Sequence, residues 1–82
     1  MTIVKYMTTF YNEIMISYAA FWRTLKEKGI STYQLIHEFQ ISSATIDRMR
    51  KGLGISTAKI DDFCSILDCN VQDIIEYVKE EK

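Results

Sequence analysis

Proline is absent from the 82-residue chain, and glycine occurs only at positions 29, 52 and 54. So few breakers among many long side chains favour helices. Cysteine appears twice, at Cys64 and Cys69, and histidine once, at His37. Those three residues are too few for a closed four-ligand zinc site, and the cysteine spacing is not CxxC. The two cysteines therefore read as reduced, mostly buried thiols. No stretch reaches the roughly 18 apolar residues of a membrane span. No Arg/Lys-led leader with a small-residue cleavage site opens the chain, so a cytoplasmic location without a membrane partner is expected. A strong charge of either sign is also missing. The net charge of −1 does not by itself favour a nucleic-acid partner.

The chain is long enough for one domain. A domain of this size buries only about 60% of its unfolded surface, so the 48% hydrophobic content is needed for a single core. Charge is unevenly placed. Between Arg23 and Lys59 seven basic residues face three acidic ones, whereas from Asp61 to Lys82 seven acidic residues face two basic ones. Local charge decides where a polyanion docks, which places any such contact in the middle of the chain.

Residues Thr2 to Tyr11 are rich in β-branched and aromatic side chains and read as a strand. Asn12-Glu13 reads as a turn, and Ile14–Ser17 as a second short strand. Ile3, Met7, Phe10 and Ile14 also fit a helical stripe, which keeps helix as the alternative. Tyr18, Phe21, Trp22 and Leu25 recur at helical spacing and predict a first helix ending at Lys28, with Gly29 as its left-handed cap. Ser31 caps a second helix that ends near Phe39, with Leu35, Ile36 and Phe39 apolar. Gln40-Ile41 forms a turn. Ser42 caps a third helix over Ser43–Lys51, closed by Gly52. Ser56 or Thr57 caps a fourth, with Ile60, Phe63, Cys64 and Leu67 on one face. Asn70 caps a fifth, in which Val71, Ile74, Ile75 and Val78 face inward and Asp73 complements the helix dipole. Lys79–Lys82 reads as a solvated tail.

At about 100° per residue, Ile46 and Met49 share one side of the third helix. Ala44, Arg48 and Lys51 form the other, with Asp47 on its flank. The outward face is small at its start and basic toward its end. Such a face suits a major groove: small residues let the helix approach, and a guanidinium further along reaches guanine O6 and N7.

The segment STYQLIHEFQISSATIDRMRKG (31–52) resembles the helix-turn-helix of the phage-repressor, Cro-like or XRE family. The likeness runs from Ser17 to Tyr77 and includes LDCNVQDIIEYV near the end. It implies an all-α, five-helix lambda-repressor-like DNA-binding domain; the short strand arm ahead of it is the reading of the N-terminal residues themselves and not of the resemblance. It also implies a cytoplasmic transcriptional regulator that binds duplex DNA as a homodimer, with no cofactor and no small-molecule substrate. By the same resemblance Ser43, Ala44, Asp47 and Arg48 read bases. Ser31, Thr32, Ser42 and Lys51 hold phosphates, with Thr45 a weaker phosphate contact. Two residues depart from the family pattern. Ile36 replaces the usual alanine where the two helices cross, and Gln40 replaces the usual glycine in the turn, at roughly 1 kcal/mol if that site is left-handed.

Other side chains read as structure. Trp22 with Phe21 suits core packing on an amphipathic helix. His37-Glu38 lacks a nucleophile, and Asp61-Asp62 cannot form a cage of six or more oxygens. No enzymatic chemistry is expected. A rival class is a protein-interaction module, antitoxin-like, that keeps the helix-turn-helix as scaffold and uses the acidic end and aromatic start to hold a partner protein.

The chain divides into residues 1–14 and a helix-turn-helix domain over 15–82. Either Met15, just before ISY…FW, is the natural start and residues 1–14 are an upstream extension, or those residues form a dimerisation arm that pairs strands. Deleting them distinguishes the two by sedimentation and circular dichroism. Loss of an arm reduces the dimer fraction and helicity, whereas loss of an extension changes neither.

Overall fold

The computed structural model describes residues 14–79. The strand expected over Thr2–Tyr11, and most of the expected arm with it, lies outside those residues. In chain order the elements are β1 (Ile14–Ser17), α1 (Ala19–Lys28), α2 (Thr32–His37), α3 (Ser43–Arg50), α4 (Thr57–Leu67), a single 3₁₀ turn (Val71–Asp73) and β2 (Glu76–Lys79). Among the described residues the domain is thus mostly helical, with four α-helices and one small antiparallel sheet. No helix among the described residues is long and apolar enough to cross a membrane.

Side-chain caps set most of the boundaries. Ser31 Oγ accepts from the Gln34 amide at 3.0 Å, while Gln34 Oε1 accepts from the Ser31 amide at 2.9 Å, a reciprocal pair that satisfies two orphan donors. Ser42 Oγ accepts from the Ala44 amide at 3.1 Å and Ser56 Oγ from the Lys59 amide at 3.2 Å. At the other end of α1, Gly29 turns to φ 70°, and the Ile30 amide reaches back to the Leu25 carbonyl at 3.0 Å. The turn between α2 and α3 uses a left-handed residue without glycine. Gln40 sits at φ 60°, and the Ile41 amide donates to the Leu35 carbonyl at 2.9 Å. α2 stops at His37, short of Phe39, which is exposed.

One core gathers these elements. Tyr18, Phe21, Leu25, Leu35, Ile41, Ile46, Met49, Phe63, Leu67 and Ile74 form a single buried cluster. Phe21 is fully buried in it, with its ring 4.8 Å from both Trp22 and Phe63. Trp22 itself is half-buried at the margin of the cluster.

The fifth helix does not form. The Asp73 carboxylate accepts from the Asn70 amide at 3.0 Å, so the cap is made, but only one 3₁₀ turn follows it. Ile74 is fully buried, and the Thr24 hydroxyl donates to the Asp73 carbonyl at 2.8 Å, which pins that turn to α1. The chain then runs extended. Residues 74–78 are mostly β-branched or aromatic, and a lone helix of this length is marginal. A strand partner is available in β1: Met15 pairs with Val78, Ile16 with Tyr77 and Ser17 with Glu76. Lys79 closes this ladder opposite Ile14, so it belongs to the sheet and not to a tail. Of the four residues expected to face inward, Ile74 is buried and Ile75 is half-buried, but Val71 and Val78 are exposed.

Strain at Gln40 has a measurable consequence. Gln40→Gly removes a left-handed side chain, partly offset by the greater unfolded-state freedom of glycine, and is expected to raise the unfolding free energy by about 0.5–1 kcal/mol. Urea melts of the two proteins check it.

Candidate nucleic-acid interface

α3 is held by its inner stripe and exposed along its outer one. Thr45, Ile46 and Met49 are buried, whereas Ser43, Ala44, Asp47, Arg48 and Arg50 are exposed. The Ser42 cap leaves Ser43 and Ala44 as the first exposed residues of the helix, with small side chains. Four charged residues follow within five positions: Asp47, Arg48, Arg50 and Lys51.

Each of these charges has a partner within the protein. Lys51 Nζ lies 3.0 Å from Asp47 Oδ2, one helical turn back, and both side chains are more than half exposed. Such a pair contributes only about 0.3–0.5 kcal/mol and exchanges readily for another anion. Arg48 Nε donates to the Gly54 carbonyl at 2.9 Å, in the loop after the helix. Arg50 Nη2 donates to Thr32 Oγ1 at 3.3 Å, joining the end of α3 to the start of α2. That bond brings the first turn of α2, with Ser31 and Thr32, beside the basic end of α3.

Of the nine positions implied by the resemblance, eight lie at least partly on the surface. The exception is Thr45, at 8% exposure. It lies beneath the outer face, beside Ile46 in the core stripe, so its hydroxyl is poorly placed for a phosphate. Arg50 is a basic residue that the sequence pattern did not single out. Four residues past Ile46, it falls on the core side of the wheel, yet it is exposed. An arginine on such a stripe has to carry its head group out to water along its aliphatic stem, and that was the signal available.

Other chemistry-bearing groups stand apart. Tyr33 is exposed and its ring lies 4.2 Å from that of His37, one turn on, at the surface of α2. Among the described residues no group of three or more His, Cys, Asp or Glu side chains comes together to hold a metal ion. Cys64 and Cys69 are free and half-buried. Burial, the neighbouring Cys64 and the Asp73 carboxylate push the Cys69 thiol up to about 11. A thiol so raised is a poor nucleophile near neutrality.

A capped helix, a turn and a second helix with an exposed, partly basic face define a helix-turn-helix domain. The sequence profile of the Cro/C1-type HTH DNA-binding domain matches residues 20–80, and the chain belongs to that family. It is also similar to a solved structure described as the crystal structure of transcriptional regulator VanUg, Form II. The TM-score is 0.74 at 23% identity, with 92% of this chain and 100% of that chain covered. At that identity the likeness speaks for the fold. No curated protein matches the chain.

The raised Cys69 thiol predicts slow alkylation. In the folded protein its rate with iodoacetamide is expected to reach half of its maximum near pH 11, not near 9. Mass spectrometry of Cys69 peptides across pH measures it.

Proposed function

We propose that this protein is a sequence-specific transcriptional regulator that binds duplex DNA as a homodimer and reads it with α3. The observation that carries the reading is the split of α3 into a buried stripe, Ile46 and Met49, and an exposed face that runs from Ser43 and Ala44 to Arg48 and Lys51. Membership of the Cro/C1-type family supports it. So does the fold shared with a protein described as a transcriptional regulator.

In this mechanism the small start of α3 enters the major groove. Ala44 lies against a thymine methyl, Ser43 and Asp47 face neighbouring base edges, and Arg48 reaches a guanine. Ser31, Thr32, Ser42 and Lys51 hold the backbone. Arg50 joins them, because its bond to Thr32 puts a guanidinium at the same edge. Thr45 is left out on account of its burial. A phosphate takes Lys51 over from Asp47, and the exposed pair gives it up at little cost. A dimer places two copies of α3 in successive major grooves, about 34 Å apart, on a roughly palindromic site.

The sheet supplies a surface for the second subunit. Met15, Ile16, Tyr77 and Val78 are all exposed on it. The same ribbon favours a second reading, in which a different protein docks there and the helix-turn-helix is scaffold. Sedimentation of the purified chain separates the two: a dimer mass supports the first reading and a monomer the second.

Selection from a random duplex library tests the DNA reading directly, and absence of binding at low salt overturns it. Arg48→Ala is expected to weaken binding to the selected site by about 1–3 kcal/mol and to relax preference at one base pair. An unchanged sequence logo refutes the role given to Arg48. Lys51→Ala, by contrast, is expected to weaken all duplexes alike and to lower the salt slope by about one.

A further inference from the structure

We infer that Tyr18, at the start of α1 and far from α3 in sequence, is a positioning residue for Arg48 and thereby sets base preference; this rests on the base-reading role proposed for Arg48. The link runs through the loop that joins α3 to α4. The Tyr18 hydroxyl donates to the Leu53 carbonyl at 2.6 Å, and Tyr18 is only 6% exposed. The Leu53 amide donates to the Arg48 carbonyl at 2.9 Å. Both backbone groups of Leu53 are therefore bonded, one to α3 and one to Tyr18. The next carbonyl along, that of Gly54, accepts from Arg48 Nε at 2.9 Å.

Little else holds this carbonyl in place. Residues 53–56 carry no regular structure. The Leu53 side chain is largely exposed, and no atom lies within 4 Å of where a Cβ on Gly54 would stand. Gly52, just before, is in the left-handed region at φ 75°. The loop is anchored beyond this point by half-buried Ile55. Among the described residues, apart from the Arg48 bond itself, the side-chain bond that reaches in between Gly52 and Ile55 from another element is that of Tyr18.

The geometry matters because a guanidinium is planar and its donors form a fixed fork. With Nε engaged by Gly54, the plane of the Arg48 head group is set by a backbone carbonyl, and the Nη1 and Nη2 hydrogens point away together. A pair of parallel donors is what guanine O6 and N7 accept. Holding the fork before DNA arrives removes part of the ordering cost of the contact. Tyr18 holds the loop, the loop holds the fork, and the fork selects the base. The phosphate contacts do not pass through this chain of bonds.

Tyr18→Phe keeps the buried ring and deletes only the hydroxyl. On the duplex selected by the wild-type protein, its discrimination at the base pair that Arg48→Ala relaxes is expected to fall about two- to tenfold. Its salt slope and its affinity for random duplex are expected to stay unchanged. In the Arg48→Ala background the same change is expected to have no further effect on discrimination. Leu53→Ala is expected to be silent, since only backbone atoms of Leu53 take part. In the free protein, NMR is expected to show faster hydrogen exchange at the Arg48 Nε–H in Tyr18→Phe.

If Arg48→Ala relaxes a base pair and Tyr18→Phe does not, the inference is overturned and the DNA reading stands. An equal loss of affinity on every duplex also overturns it, since that is the mark of a merely structural tyrosine. If wild-type protein shows no base preference that Arg48→Ala alters, the base-reading role fails and the effect on discrimination falls with it. Unchanged Nε–H exchange in Tyr18→Phe overturns the positioning link whatever the DNA result.

Discussion

Burial of Ile46 and Met49 in the common core fixes the rotation of α3, and the exposed face proposed to read DNA depends on that rotation. A helix of eight residues makes too few internal hydrogen bonds to be stable alone. It is held from outside, by the Ser42 cap at one end and by two fully or nearly fully buried side chains in the cluster that contains Leu35, Ile41 and Phe63. Once those two residues point inward, Ala44, Arg48 and Lys51 have to point outward. Large-to-small changes at such core sites typically cost about 2–5 kcal/mol, a large share of the stability of a small domain.

Much of the fold was legible from local chemistry. Ser31 and Ser42 each cap the helix they were expected to begin, Ser56 is the one of the two candidates, Ser56 or Thr57, that caps α4, and Gly29 ends α1 in the left-handed conformation its position implied. Gln40 was legible only as a turn residue, with its left-handed conformation left open. It adopts the left-handed turn without glycine, because the turn is closed on both sides by buried Leu35 and Ile41. The C-terminal segment was not legible. Val71, Ile74, Ile75 and Val78 fit a helical stripe, and the Asn70–Asp73 cap fits a helix start. What decides the outcome is pairing with Ile14–Ser17, about sixty residues away, and no local pattern reports a partner at that distance.

The candidate site divides in the same way. A helical wheel sorts small and charged residues by direction, and it placed Ala44, Arg48 and Lys51 outward with Asp47 on the flank, where all four are exposed. It treats every side chain as a point, so it missed one thing that depends on length. Arg50, on the core side of the wheel, is long and climbs out to Thr32. Thr45 lies beside Met49 on the wheel and is buried, so the phosphate role assigned to it came from the resemblance and not from the wheel. The wheel is also silent on pairing. The Asp47–Lys51 bridge and the Arg48–Gly54 bond depend on where the side chains and the following loop lie in three dimensions.

The β1–β2 ladder joins the two ends of the described chain, with all four residues of β2 exposed. A clasp of this kind closes over a long loop and is covered by little apolar packing, so it forms late and opens at lower free energy than the helical core. Its opening leaves Ile46, Met49 and the outer face of α3 where they are. Tyr18 follows β1 directly, and that junction is where fraying of the clasp reaches the helices. The described domain is therefore graded mechanically: a loosely packed seam at β1–β2, a core-held helix α3, and one tyrosine between them.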